Sequence, residues 1–166
     1  MDLEERLANL LGRRYCLLVG RATTAIYLGL KALNPSGGCK VILPALVCPS
    51  PANAAIYAGM EPIFCDVSLT DANMDIESCR TVLEQEDNVN AIILVHLFGH
   101  VANLAPLLDL AKEFNVPVIE DAAQAMGGRY SGKPLGSWGD VSVISFGYSK
   151  IIDPGSGGAL LTDDEE

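Results

Sequence analysis

The chain has 166 residues, with 21 Asp and Glu against 11 Lys and Arg, a formal net charge of −10 and 49% hydrophobic residues. That is enough for one globular domain with a sizeable core, and it excludes intrinsic disorder, which needs low hydrophobicity together with high net charge. Eleven scattered cations in an acidic chain also exclude nucleic acid as the main partner, because phosphate-backbone binding needs clustered Lys and Arg.

The segment Met1–Leu7 is acidic and amphipathic, without the basic start and apolar stretch of a signal peptide. Tyr15–Val19 then reads as a strand, and Thr23–Leu33 as a helix with Ile26, Leu30 and Leu33 on one face. Lys40–Pro44 is a strand and Pro51–Ala58 a helix. Pro62–Asp66 is a strand, followed by a helix over Asp75–Glu86 with Asp75 as its cap. Ala91–His96 is a strand, Leu104–Phe114 a helix and Val116–Glu120 a strand. Asp140–Phe146 and Gly158–Thr162 are the last two apolar runs. Short continuous apolar strands alternating with helices indicate an α/β fold: a mostly parallel, doubly wound sheet of roughly seven strands with helices on both faces. No helix separates Phe146 from Gly158, so the last strand is expected to return antiparallel to its predecessor.

The five cysteines are odd in number, scattered and free of CxxC pairs, which argues against a disulfide framework or a zinc site. They read as small, mostly buried thiols of a reducing, cytoplasmic compartment. The most apolar region, 91–110, is broken by His96, Gly99, His100, Asn103 and Pro106 and carries Asp109, so no membrane span is expected. Asp71–Asp75 lacks the glycine and distal glutamate of a calcium loop and reads as a turn with a helix cap.

In open α/β sheets ligands bind beyond the carboxyl ends of the strands. Gly20-Arg21-Ala22-Thr23 follows the first strand and opens a helix, where small residues and free N–H groups suit a phosphate. It is neither a GxGxxG nor a P-loop. Asp121 follows an apolar strand, where a carboxylate is costly without a cation. Lys150 follows another, in a loop rich in Gly and Ser, the setting of a Schiff-base lysine. An anion cradle, a carboxylate and a lysine at three strand ends are the set that pyridoxal phosphate (PLP) needs. A carboxylate about 4 Å from a pyridinium gains roughly 4 kcal/mol at an effective dielectric of ~20 before desolvation. His96 reads as a satisfied structural histidine, His100 has no assigned role, and Trp138 reads as an anchor for the loop before the last long strand.

The order of these motifs resembles the DegT/DnrJ/EryC1/StrS family of sugar aminotransferases, which have the aspartate aminotransferase fold. The resemblance is carried by Arg21–Ile26, Val41–Ala45, Gly59–Val67, Val95–Gly99, Ile119-Glu120-Asp121-Ala122-Ala123-Gln124-Ala125, Ser145–Lys150 and Gly157–Asp164, and it covers almost the whole chain. It implies a PLP enzyme that transfers an amino group from an amino acid, such as glutamate, to a nucleotide-linked keto-sugar. Lys150 would carry the cofactor as an internal aldimine and shuttle the proton. Asp121 would pair with the pyridine nitrogen and Gln124 with the phenolic oxygen. Ser145, Ala22 and Thr23 would hold the phosphate. Family members with His at the lysine position act as dehydratases, so Lys150 implies transamination.

Two departures from the family pattern stand out. Cys48 occupies the region where an aromatic residue usually stacks on the ring, so it would pack there instead. Arg21-Ala22-Thr23 replaces a Ser-Gly-Thr phosphate segment, and Ala22 can still supply its N–H if its φ is negative. The resemblance further implies a PLP-binding large domain over 1–166 without the C-terminal small domain, and a homodimer or a complementary chain that completes the site. The alternatives are a split, non-catalytic domain or another fold type I enzyme such as a lyase.

Overall fold

The computed structural model describes residues 2–33 and 38–165. Its first element, α1 (Leu3–Leu11), is fixed at both ends by its own sequence. Asp2 and Glu5 form a reciprocal capping box, and Gly12 closes the helix in the left-handed conformation. There follow β1 (Tyr15–Val19), α2 (Ala22–Leu33), β2 (Lys40–Pro44), α3 (Pro49–Tyr57) and β3 (Glu61–Cys65). Next come α4 (Ile76–Gln85), β4 (Val89–Val95), α5 (Leu104–Glu113) and β5 (Val118–Asp121). A two-residue-strand hairpin, β6 (Arg129–Tyr130) and β7 (Lys133–Pro134), precedes β8 (Val141–Ser145) and β9 (Gly158–Thr162).

The main sheet has seven strands in the order β1-β9-β8-β5-β4-β2-β3. The five strands from β8 to β3 are mutually parallel, and β9 runs antiparallel to both its neighbours. Alternate side chains of each strand feed two cores. Val41 and Leu43 of β2 pack with Ala25, Ile26 and Leu30 of α2 and Ala54 and Ala55 of α3. Ile42, between them, packs with α1, α4 and α5 through Leu11, Leu83 and Leu107. The result is the expected three-layer α/β arrangement.

Three differences from the sequence reading have local causes. The helix expected from Pro51 starts at Pro49, because prolines fit the first turn, where no N–H is required. The strand expected from Pro62 starts at Glu61. This strand is the sheet edge, where the missing N–H of Pro62 is tolerated. The β6–β7 hairpin is too short to leave a periodic signal. All five cysteines are free thiols, with Cys39, Cys65 and Cys79 buried, Cys16 half-buried and Cys48 exposed. No helix among the described residues is long and apolar enough to cross a membrane.

Candidate active site

Two consecutive carboxylates end β5, and the pleat sends them to opposite faces of the sheet. Glu120 points into the α1/α4/α5 layer and is fully buried. Its Oε1 accepts from His96 Nε2 at 3.1 Å and from Gly136 N at 2.6 Å. Its Oε2 accepts from Trp138 N, Gly139 N and the Ser142 hydroxyl at 2.6, 3.2 and 3.1 Å. Burial alone would raise its pKa, but His96 and the Gly136 and Trp138 amides outweigh that and hold it below the ordinary glutamate value. Arg13, itself buried, donates to the same Ser142 hydroxyl, to the Gly136 and Gly139 carbonyls and to Asp163. His96 Nδ1 accepts from the Ala102 amide at 3.0 Å, which leaves the ring proton on Nε2, facing Glu120. His96 is therefore the structural histidine that its position suggested. Trp138 anchors its loop through its backbone amide and an edge-on contact with Tyr130.

Asp121 points the other way, into a cavity of about 410 Å³ on the α2/α3 side. It is 6% exposed, and its Oδ1 accepts one hydrogen bond, from Ala123 N at 2.9 Å. Burial pushes its carboxyl above the usual aspartate value. The Ala123 amide and the charge of Lys150 pull the other way without offsetting it. The cavity wall also holds Ala22, Thr23, Cys48, Ser145 and Lys150, so six of the seven residues singled out from the sequence meet in one place.

The sheet register explains the convergence. Ser145 of β8 lies opposite Gly158 of β9, and Gly158 lies opposite Val19 of β1, so the loops after β1 and β8 and the one before β9 open at one edge. Gly158 permits this closeness. A Cβ there would stand 2.6 Å from the Ala22 nitrogen and 2.9 Å from the Arg21 carbonyl carbon. Ala22 is the first residue of α2 and is not among the residues with positive φ, which meets the condition set for its N–H. The first-turn amides of a helix have no partner within it. Lys150 is presented by Ser149, which adopts a left-handed φ of 65°, in a loop held by Asp153 through the amides of Ser149 and Gly155.

Gln124 is the predicted residue that the fold does not place on the cavity wall. Its Oε1 accepts from Phe98 N at 3.0 Å, fixing the turn after β4. That turn is strained, with Phe98 at a φ of 55°. The Gln124 Nε2 has no hydrogen-bond partner among the described residues, so the side chain keeps a donor for a phenolic oxygen. Sequence reasoning did not select Arg21, Ser50 and Ser156, which also line the cavity. Glu120 was read only as part of a motif, because its partners lie far away in the sequence.

A family model described as the DegT/DnrJ/EryC1/StrS aminotransferase family matches residues 1–166. GDP-perosamine synthase of Caulobacter vibrioides is 34% identical over the full chain, which covers 44% of that protein. The chain thus spans less than half the length of the curated relatives it matches. The aminotransferase of Psychrobacter cryohalolentis superposes with a TM-score of 0.92 at 33% identity, over 98% of this chain and 41% of that one. The ntda protein of Bacillus subtilis, solved with bound cofactor PMP, gives 0.90 at 30% identity over 98% and 36%. The family is PLP-dependent. The donor set here fits that cofactor. A buried, under-partnered carboxylate faces a lysine, with hydroxyls and first-turn amides on the remaining wall.

Proposed function

The chain belongs to the DegT/DnrJ/EryC1/StrS aminotransferase family, and from that premise we propose that residues 1–166 are the PLP-binding large domain of a sugar aminotransferase. The amino group would pass from glutamate to a nucleotide-linked keto-sugar. The observation that carries this reading is Asp121. Nothing in the fold requires a carboxylate there. It is desolvated, it makes one hydrogen bond, and it faces Lys150 across a cavity.

Each residue has a part that follows from its chemistry. Asp121 would hold its charge toward the cofactor's ring nitrogen, and its buried setting would strengthen that pair. Lys150 Nζ would hold the cofactor and serve as the base that moves the proton at the substrate carbon. The Ala22 and Thr23 amides, the Thr23 hydroxyl and the Ser145 hydroxyl would hold the phosphate. Gln124 Nε2 would donate to the phenolic oxygen, and Cys48, on the cavity wall, would pack beside the ring. When bound, PLP supplies the electron sink that lets one substrate give up an amino group and another receive it.

The test is the visible absorption of the chain with added PLP, before and after borohydride reduction. A band fixed by reduction in the wild type and absent in Lys150→Ala is expected. A missing band, or one unchanged in Lys150→Ala, would overturn the reading. Amino transfer from glutamate to a nucleotide-linked keto-sugar, with glutamine and alanine as competing donors, then checks the substrates.

A further inference from the structure

A second groove, of about 480 Å³, opens between α2 and α3 and shares Arg21, Thr23 and Ser50 with the Lys150 cavity, so the two adjoin. Its remaining wall is Thr24, Tyr27, Asn53 and Tyr57. The chain carries 21 Asp and Glu residues against 11 cations, yet among the described residues no carboxylate lines this groove, and the cavity beside it has only Asp121. Arg21 is exposed and makes no ion pair or side-chain hydrogen bond among the described residues. Its guanidinium is planar, always charged and shaped for two phosphoryl oxygens at once. Hydroxyl and amide donors surround it, and the phenols of Tyr27 and Tyr57 add flat, amphipathic surface.

We propose that this groove is a diphosphate subsite with Arg21 as its cation, taking the nucleoside diphosphate of the substrate while the attached sugar reaches the Lys150 cavity. The inference rests on the proposed function. It adds the part of this chain that would recognise the carrier. Arg21 also borders the cofactor cavity, so the anion it meets could instead be the cofactor's phosphate, and the experiment separates the two.

The chain is loaded with PLP and its absorption measured, which tests the underlying reading alone. After borohydride reduction it is titrated calorimetrically with GDP, UDP, inorganic pyrophosphate and guanosine. The diphosphates are expected to bind, guanosine at least tenfold more weakly, and affinity is expected to fall with added salt. With PLP fixed beforehand by borohydride reduction, Arg21→Gln should lower diphosphate affinity about tenfold or more. Arg21→Lys should fall between, because it keeps the charge and loses the fork. No diphosphate binding to the loaded chain, or binding unchanged in Arg21→Gln, overturns the subsite and leaves the cofactor reading standing. Reduced PLP loading in Arg21→Gln overturns it in favour of the cofactor's phosphate. Failure of the wild type to load PLP overturns the underlying reading and this inference with it.

Discussion

Glu120 and Asp121 are adjacent in sequence, both buried, and treated in opposite ways by the fold. Around Glu120 every donor is supplied: five hydrogen bonds from His96, which follows β4, from β8 and from the 136–139 loop, with Arg13 behind them. Around Asp121 one donor is supplied and the rest of the surface is a cavity. The first pattern is what a buried charge needs in order to be tolerated. The second is a local deficit that is common at functional sites, where a ligand completes the set. The contrast separates structural from functional carboxylates without reference to any relative, and it can be broken by substitution.

The largest effect is expected at Glu120. Glu120→Ala strands the 136–139 amides and His96 Nε2 and takes away the acceptor of the Ser142 hydroxyl, at a cost of about 3–5 kcal/mol. The melting temperature of the cofactor-free chain should fall by roughly 6–20 °C. A fall of less than about 2 °C would show that the network is decoration. Next comes Gly158→Ala, whose new Cβ meets backbone atoms of Arg21 and Ala22 that cannot rotate away. Overpacking of that kind costs about 1–3 kcal/mol. Because the displaced backbone forms the phosphate cradle of the proposed site, PLP affinity should fall along with stability. Lost stability with unchanged PLP affinity would detach that cradle from the cofactor.

Asp121→Asn should act with the opposite sign. It removes an under-partnered charge, so the cofactor-free chain should gain about 1–2 kcal/mol at neutral pH, as relieved functional sites commonly do. The pH dependence sharpens the contrast. The folded-state pKa of Asp121 is raised, so its penalty is absent below the ordinary aspartate pKa and grows as pH rises through the folded value. The gain from Asp121→Asn should therefore fade on acidification. The folded-state pKa of Glu120 is lowered, so its stabilisation is present above the ordinary glutamate pKa and is lost as pH falls through the folded value. The cost of Glu120→Gln should thus also shrink in acid, but from a loss rather than a gain. Melting curves of both variants from neutral pH downward report the two signs. Added PLP should reverse the order at Asp121, stabilising the wild type more than the Asn variant.

The two regions also differ in how far the sequence could foretell them. The Asp121 cavity was legible because its parts follow strand ends, and strand ends in such a sheet share an edge. Ala22, Thr23, Asp121 and Lys150 were located by that rule, and Ser145 by the family resemblance. The continuous apolar runs and helical periods likewise placed all seven strands of the main sheet and four of the helices. The Glu120 network was not legible. Arg13 lies more than a hundred residues from the Gly136, Gly139 and Ser142 groups it holds, and no local pattern marks a buried arginine. The first helix did carry a signal, the Asp2-x-x-Glu5 box, which was read as acidity rather than as a cap. Gln124 sits in the right motif, yet its carbonyl is drawn to the Phe98 turn, a contact set by the path of the chain after β4.

The smallest effect is expected where the cavity stores strain instead of charge. Ser149 holds a left-handed φ of 65° immediately before Lys150, a conformation that costs a non-glycine residue about 1–2 kcal/mol. Ser149→Gly removes that cost but adds chain entropy to the unfolded state, about 0.5–1 kcal/mol. The two nearly cancel, so the melting temperature should move by no more than about 2 °C. The Asp153 carboxylate receives its hydrogen bond from the Ser149 backbone amide, which glycine keeps, so the loop should hold its shape and the PLP band should persist. Ser149→Val tests the same point from the other side. A β-branched residue resists positive φ, so the turn must open and carry Lys150 with it. A weakened PLP band in Ser149→Val beside a normal one in Ser149→Gly would show that backbone conformation, not the serine hydroxyl, presents the lysine. Equal loss in both would assign that work to the hydroxyl.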